Sequence, residues 1–307
     1  MRTLRAFDDA EIRDLVQRDE FFWLDLTGPR EDELRGLGEA LAFDKRTVHL
    51  LGEPVGRPVL DQHDSYVFMV FFGVGGAEPA PIEVRLAISG GYIVTIHDEH
   101  CEMFEGLEHR LERLGEEEEG FVVYKVLGAL AGSFFKALDR VDDDVDALED
   151  VIMADAEPGQ LRDLVDVKNR LVKLRKIATP QRDLLATAAD DIGSLPGLQS
   201  RPSDFREVYQ QMISVSELID SSRDVLIGAQ DVYLSSVSNR LNQVMERLTI
   251  VATIFLPLTF VTGFFGQNFA WMVRHIDTFP AFALFGGGGV LLPVGIMLVV
   301  FRRAGYF

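Results

Sequence analysis

The stretch VATIFLPLTFVTGFFGQNFAWM, Val251–Met272, contains no charged residue. It lies inside an uncharged run of 26 residues, 248–273, and a second uncharged run of 23 residues, 279–301, follows after a short loop. A helix that crosses a bilayer needs about 20 consecutive apolar residues. The two runs therefore predict two membrane-spanning helices at the C-terminal end, and a pair of buried core helices is the alternative.

The charges of the chain are concentrated outside these runs. The 307 residues include 30 basic and 49 acidic side chains, but only three basic and one acidic residue follow position 247. The first 247 residues thus contain 27 basic and 48 acidic residues, a net charge of −21. Such a body attracts cations and lacks the Lys/Arg patches that nucleic acid requires, so no nucleic-acid partner is expected. The single cysteine, Cys101, excludes an intramolecular disulfide and favours a reducing compartment.

The basic residues near the two runs predict the orientation of the membrane segment. They flank its outer ends at Arg240, Arg247, Arg302 and Arg303. The connecting loop has only Arg274. By the positive-inside rule, both ends of the segment lie in the cytoplasm and residues 267–278 lie outside. We therefore expect a multi-pass protein of the cell membrane. In a cell envelope with two membranes, this would be the inner membrane.

One face of the first run combines polar and small residues. The spacing of its members alternates between three and four, which is a heptad seam. These members are Asn242, Met245, Thr249, Ala252, Leu256, Thr259, Gly263 and Gly266. Around a symmetric axis such a seam would form rings of amide, hydroxyl and apolar groups that can pass or block a hydrated ion. Ordinary packing between membrane helices is the alternative, because small residues and threonine are common there.

The segment SNRLNQVMERLTIVATIFLPLTFVTGFFGQNF, 238–269, resembles the pore helix of the CorA family of divalent-cation channels. A second, weaker similarity is LVKLRKIATPQRDLL, 171–185, which is similar to the helical segment ahead of the stalk in that family. The resemblance implies a funnel-shaped homopentamer whose first span lines the pore. It also implies that the ion is first recognised at the outer mouth.

The family's Gly-Met-Asn signature matches Gly266, Gln267 and Asn268, with Asn268 as the residue that contacts the hydrated ion. The resemblance implies pore-lining roles for Asn242, Met245, Leu248, Leu256, Thr259 and Gly263, and the seam adds Thr249 and Ala252. The cargo implied is Mg²⁺, with Co²⁺ or Ni²⁺ as further ions, and no catalytic cofactor is expected. Gln267 and the acid-poor loop that follows it depart from the magnesium channels and leave the zinc-transporting branch open.

The sequence before the membrane segment predicts an α/β cytoplasmic domain. Four β-branched and aromatic runs, 21–26, 66–74, 83–89 and 92–97, are bounded by turn residues, and Gly90-Gly91 indicates a hairpin. The predicted order is a cytoplasmic α/β domain (1–120), a cytoplasmic helical segment (121–200), a stalk helix (201–247), a first span (248–266), an outer loop (267–278), a second span (279–301) and a basic cytoplasmic tail (302–307).

Carboxylates recur at helical spacing in RVDDDVDALED, 140–150. A solvated helix face is the ordinary interpretation. The resemblance implies a second one, in which cytoplasmic divalent ions bound between subunits favour the closed state. Candidate regulatory metal ligands are Asp142, Asp143, Asp146 and, by its distance from the signature, Glu207.

TIHDEHCE, 95–102, contains two histidines, Cys101 and several acids, but a polar strand-to-helix connection is favoured over a metal site. The sequence contains no GxxxxGK[ST], GxSxG or HExxH motif, so an enzyme is not expected. Three hypotheses remain. They are a CorA-type divalent-cation transporter, a zinc transporter with or without proton coupling, and a membrane-anchored metal sensor that transports nothing.

Overall fold

The computed structural model describes residues 2–76, 78–114, 119–195, 202–267 and 269–303. It divides into two units, Met1–Tyr233 and Leu234–Phe307, which are described separately. The strands are β1 (Arg2–Leu4), β2 (Phe22–Thr27), β3 (Val59–Gln62), β4 (Val67–Gly75), β5 (Ala80–Ile88) and β6 (Tyr92–His97). The helices are α1 (Asp9–Gln17), α2 (Glu31–Ala40), α3 (Lys45–Gly52), a 3₁₀ turn (Glu102–Phe104), α4 (Leu107–Leu114), α5 (Glu119–Ala154), α6 (Pro158–Ser194), α7 (Pro202–Phe265), α8 (Ala270–His275), α9 (Phe279–Ala281), a π-helical segment (Phe282–Gly287) and α10 (Gly288–Arg303).

The six strands form one mixed sheet in the order β1-β2-β6-β5-β4-β3. The β1–β2 and β2–β6 pairs are parallel, and the other pairs are antiparallel. The four strands predicted from the sequence are confirmed within a few residues, and Gly90-Gly91 joins the antiparallel β5 and β6. The short strands β1 and β3 were not predicted.

Both faces of the sheet are covered. Gly73 of β4 faces α5, since a Cβ built there would lie 3.1 Å from Leu130. Alternation along the paired strands puts Tyr92 on the opposite face. There its ring packs against Phe43, with 6.0 Å between ring centroids. The central strands are therefore buried on both sides and read as nearly continuous apolar runs.

Within the described part of the chain, no strand pairs with the end of β4 on its β3 side. The β3–β4 pairing stops at Val59↔Val70. The buried side chain of Gln181, on α6, replaces the missing strand. Its Oε1 accepts from the Phe72 N–H at 2.7 Å, and its Nε2 donates to the Phe72 carbonyl at 3.0 Å. The Ser133 hydroxyl accepts from the Val74 N–H at 2.7 Å in the same way. Side chains thus satisfy buried backbone groups that a strand would otherwise pair.

Among the residues that the structure describes, three helices are long and apolar enough to cross a membrane: Gly120–Ala154, Ser203–Phe265 and Phe279–Arg303. The apolar window of the first is 61% buried within the protein, which identifies α5 as a core helix packed on the sheet. The apolar windows of the other two have no buried residue. These are the segments that the sequence predicts to be membrane spans, and α7 runs without interruption from the predicted stalk into the first of them.

Candidate ion pathway on the first span

The first span has two distinct faces. Its half-buried residues form one helical stripe: Ile250, Thr253, Ile254, Pro257, Leu258, Val261 and Phe265. The predicted seam lies on the other side, and all eight of its members are exposed, as is Leu248. Leu256 is 76% exposed. The polar and small face is therefore left uncovered by the second span.

Glycines of the second span allow it to approach the half-buried face closely. A Cβ on Gly289 would lie 3.3 Å from the Val261 side chain, a contact tighter than ordinary van der Waals distance. The Phe265 and Phe285 rings also meet, with centroids 6.5 Å apart. The absence of a side chain at Gly289 thus allows close packing between the two helices. Two further glycines, Gly286 and Gly287, end the π-helical segment, a distortion that the sequence did not predict.

The threonine hydroxyls of the first span donate their protons to their own helix. Thr249 donates to the Met245 carbonyl at 2.7 Å, and Thr259 donates to the Phe255 carbonyl at 2.8 Å. Each hydroxyl oxygen keeps its acceptor capacity once its only proton is used. The two seam threonines therefore present acceptors at exposed positions. Acceptors are what the outward-pointing hydrogens of a hydrated cation require.

The outer end of α7 closes with backbone hydrogen bonds. Gly266 N–H donates to the Thr262 carbonyl at 2.9 Å, and Gln267 N–H donates to the Phe264 carbonyl at 3.4 Å. A Cβ on Gly266 would lie 3.0 Å from that Thr262 oxygen, so glycine suits the tight end of the helix. Asn268, the predicted ion-recognition residue, lies outside the described residues. Gln267 is exposed.

The predicted regulatory carboxylates are exposed and lie on two helices. Asp142, Asp143 and Asp146 are on α5, and Glu207 is on α7. Asp142 accepts a hydrogen bond from Ser222 Oγ at 2.7 Å. Within the described residues, no group of three or more His, Cys, Asp or Glu side chains is placed to hold a metal ion. One chain therefore does not bring these acids together into a metal-binding cluster.

Glu207 has a partner that the sequence did not reveal. The Tyr124 hydroxyl, on α5, hydrogen-bonds the Glu207 carboxylate, and burial together with this acid raises the pKa of Tyr124 to about 12. The two residues are 83 positions apart, and no local pattern links them. The contact ties α5 to α7 at the carboxylate that was predicted to sense cytoplasmic ions.

The TIHDEHCE segment forms a buried polar network where the strand ends. His97 Nε2 lies 3.0 Å from Asp25 Oδ1, and His97 Nδ1 lies 2.6 Å from the Glu99 carbonyl oxygen. Thr95 Oγ1 donates to Asp25 Oδ1 at 2.5 Å and accepts from Trp23 Nε1 at 3.0 Å. The favoured strand-to-helix connection is confirmed, since β6 ends at His97 and the 3₁₀ turn begins at Glu102. The histidine stabilises the end of the sheet.

The fold and the first-span face define a class of membrane protein. In this class an acidic α/β domain is joined by one long helix to two C-terminal spans, and the polar face of the first span is not covered by the second. Comparison with known families agrees. The model of the CorA-like Mg²⁺ transporter protein family matches residues 18–303, so the chain belongs to that family.

The chain is also similar to individual proteins. It is 30% identical over 259 residues to the cobalt/magnesium transport protein CorA of Thermotoga maritima, covering 81% of this chain and 74% of the relative. It is 24% identical to the zinc transport protein ZntB of Pectobacterium atrosepticum, covering 83% of this chain and 79% of the relative. The structure of the CorA magnesium transporter of Methanocaldococcus jannaschii superposes with a TM-score of 0.80 at 22% identity, covering 93% and 91% of the two chains, which shows the same fold.

Proposed function

We propose that this protein is a divalent-cation transporter of the CorA type that moves Mg²⁺, and also Co²⁺ or Ni²⁺, across the cell membrane. The observation that carries this proposal is the exposed seam of the first span, which lies opposite the face that contacts the second span. Lipid chains offer no partners to a stripe of hydrogen-bond acceptors and small residues, so such a stripe gains nothing from facing lipid. The same stripe facing a symmetric axis would line a pore.

Two spans cannot enclose a pore, so transport requires several copies of the chain. The family resemblance implies five, arranged as a funnel with both ends in the cytoplasm. In that arrangement Asn242 and Met245 would lie at the cytoplasmic entrance and Leu256 would form an apolar constriction. Gly266, Gln267 and Asn268 would then form the outer mouth.

The chemistry of the seam suits an ion that keeps its water. Mg²⁺ dehydrates reluctantly and is usually bound with several waters in place. The hydrogens of those waters point outward and need acceptors, which the Thr249 and Thr259 oxygens supply. Neutral acceptors hold the hydrated ion weakly enough for it to leave, whereas a ring of carboxylates would retain it.

The acidic body offers a means of gating. Loss of cytoplasmic divalent ions from the carboxylates at subunit contacts would leave like charges facing each other. Their repulsion would loosen the contacts and let the long α7 helices move, and the Leu256 constriction would become hydrated. Asp142, Asp143, Asp146 and Glu207 remain the candidate ligands, and a neighbouring subunit would have to complete each site.

Ion flux into proteoliposomes that contain the full chain tests the proposal. Mg²⁺ uptake under a concentration gradient should fall by roughly tenfold in Thr259→Val, equivalent to about 1.4 kcal/mol, because valine keeps the shape but removes the acceptor. Thr253→Val is the matched control. Thr253 makes the same type of hydrogen bond at 2.6 Å, to the Thr249 carbonyl, but lies on the half-buried face. Absence of any Mg²⁺, Co²⁺, Ni²⁺ or Zn²⁺ flux would refute transport.

A zinc transporter is the second candidate function. It is favoured by the outer loop, where Asp277 is the single acid, and by similarity to a zinc transport protein. Competition between Mg²⁺ and Zn²⁺ in the same assay separates the two ions, and an imposed pH gradient tests proton coupling. Asn268→Ala separates both from a metal sensor. A pore should lose ion recognition in this variant, while a sensor whose site is cytoplasmic should be unaffected.

A further inference from the structure

A groove runs along the outer half of the membrane segment between its two helices. It consists of two adjoining cavities of about 310 and 460 Å³, which share Phe265, Phe282 and Gly286. The outer cavity is also lined by α8 and by Asp277, and the deeper one continues along the π-helical segment. Apart from Asp277 and Thr262, the lining consists of apolar side chains and glycines.

Glycines of the second span keep the groove open. A Cβ built on Gly287 would meet nothing within 4 Å, so the space beside it is empty for lack of a side chain. An apolar cavity does not retain water, and the atoms that line an empty one lose dispersion contacts. In a bilayer the surrounding hydrocarbon is the material at hand to fill it. The Thr262 hydroxyl has already used its only proton, because it donates to the Leu258 carbonyl at 2.9 Å.

The segment that forms the outer end of the groove contains two charges of opposite sign, of which Asp277 lines the groove and Arg274 does not. Arg274 and Asp277 are three residues apart on the segment that forms this end, and both are exposed. Among the described residues, neither side chain makes an ion pair with the other or with a third residue. Trp271 stacks on His275 in the same segment, with ring centroids 4.5 Å apart, and tryptophan is typical of the headgroup level. A zwitterionic headgroup would satisfy both charges at once.

We propose that this groove binds a phospholipid whose headgroup contains both a phosphate and an ammonium, such as phosphatidylethanolamine. One acyl chain fills the two cavities, Arg274 binds the phosphate, and Asp277 accepts hydrogen bonds from the ammonium. The proposal depends on the two helices spanning a membrane and not on transport, so it can fail or succeed independently of the proposed function. The competing occupant is a helix of a second copy of the chain.

The test measures lipid retained by the full-length protein. The chain is purified from bilayers with equal amounts of phosphatidylethanolamine and phosphatidylglycerol, and native mass spectrometry counts each lipid per chain. Gly287→Leu should fill the groove and reduce retained phosphatidylethanolamine by about tenfold. Gly295→Leu is the matched control. Gly295 also lies in the second span and has open space around it, but it does not line the groove.

Headgroup recognition is tested separately. Asp277→Asn should remove the preference for phosphatidylethanolamine over phosphatidylglycerol while lipid is still retained, and Arg274→Gln should weaken retention of both. Equal retention by Gly287→Leu and Gly295→Leu would overturn the proposal. So would a change of oligomeric state in Gly287→Leu with retained lipid unchanged, because it would assign the groove to a second copy. An unaltered headgroup preference in Asp277→Asn would overturn the assignment of the ammonium.

Discussion

Replacing Gln181 by leucine should destabilise the unit that contains the sheet, because two backbone groups of strand β4 lose their partners. The Gln181 side chain is fully buried, and its amide oxygen and amide nitrogen both hydrogen-bond the backbone of Phe72. Leucine has a similar size but no polar atom. The variant therefore leaves the Phe72 N–H and C=O without hydrogen-bond partners. Strand β3 cannot supply new ones, since its pairing with β4 ends at Val70.

The magnitude follows from the burial of those two groups. A buried donor or acceptor that loses its partner costs about 1–3 kcal/mol. The carbonyl has a second lone pair and tolerates the loss better than the N–H. Leucine recovers part of the cost through apolar contacts in the same space. We therefore expect the free energy of unfolding to fall by about 2–4 kcal/mol, a large part of the stability of a typical domain.

Denaturant unfolding of the full-length protein in detergent gives this number. The chain has two tryptophans, Trp23 and Trp271. Trp23 is completely buried in β2, whereas Trp271 is 73% exposed. In a Trp271→Phe background, Trp23 fluorescence reports only on the unit that contains the sheet. The control is Gln210→Leu, which makes the same chemical change at an exposed position of α7.

A difference below about 0.5 kcal/mol in the free energy of unfolding between Gln181→Leu and Gln210→Leu would contradict this expectation, because surface substitutions usually have effects of that size. A small difference would mean that water can satisfy the end of β4, and hence that the edge is open to solvent. Gln181→Glu provides a second check. Its carboxylate can accept from the Phe72 N–H but repels the Phe72 carbonyl, so its cost should be at least as large.

Three further predictions concern the same unit. Asp44 caps α3 by accepting from the Thr47 N–H at 2.6 Å, and this bond holds the carboxyl pKa below its ordinary value. Asp44→Ala should lower the free energy of unfolding by about 1 kcal/mol at neutral pH. This loss should shrink as the pH falls below the ordinary range of aspartate pKa values. Urea titrations at several pH values measure it, and Asp44→Asn should remove the pH dependence. Gly73→Ala should cost about 1–3 kcal/mol in thermal unfolding, since the new Cβ would overlap Met103 Sδ, and no loss would contradict the close packing. Cys101 is buried and burial raises its thiol pKa, so thiol reagents should label it at pH 8 only after denaturation, and rapid labelling of the folded protein would contradict its placement.

Much of the fold could be predicted from local patterns. The four long strands are rich in β-branched and aromatic residues and are bounded by turns, so their positions were found within a few residues. The short strands β1 and β3 were missed because three or four residues give too little pattern to separate a strand from a loop. Their existence depends on pairing with β2 and β4, which is a tertiary contact.

The candidate site was predictable in part for the same reason. The heptad spacing of the first span needs only one helix, and the structure places all eight seam residues at exposed positions, away from the face that contacts the second span. Their role in lining a pore stays a prediction. The partners of Asp142 and Glu207 could not be found in this way. Ser222 and Tyr124 lie about 80 positions away in the chain, and only the packing of α5 against α7 brings them close.

Residue order alone specifies where charge is absent, and from that follow the predictions of two spans, their orientation and the polar seam. Those properties depend on the cost of placing charge in lipid and on the period of one helix, which residue order alone specifies. The packing of distant elements makes the apolar α5 a core helix and places Gln181 where it completes the sheet. It also leaves a groove between the spans beside glycines of a π-helical segment. Each of these depends on which distant surface covers a residue, and that is set by packing between elements.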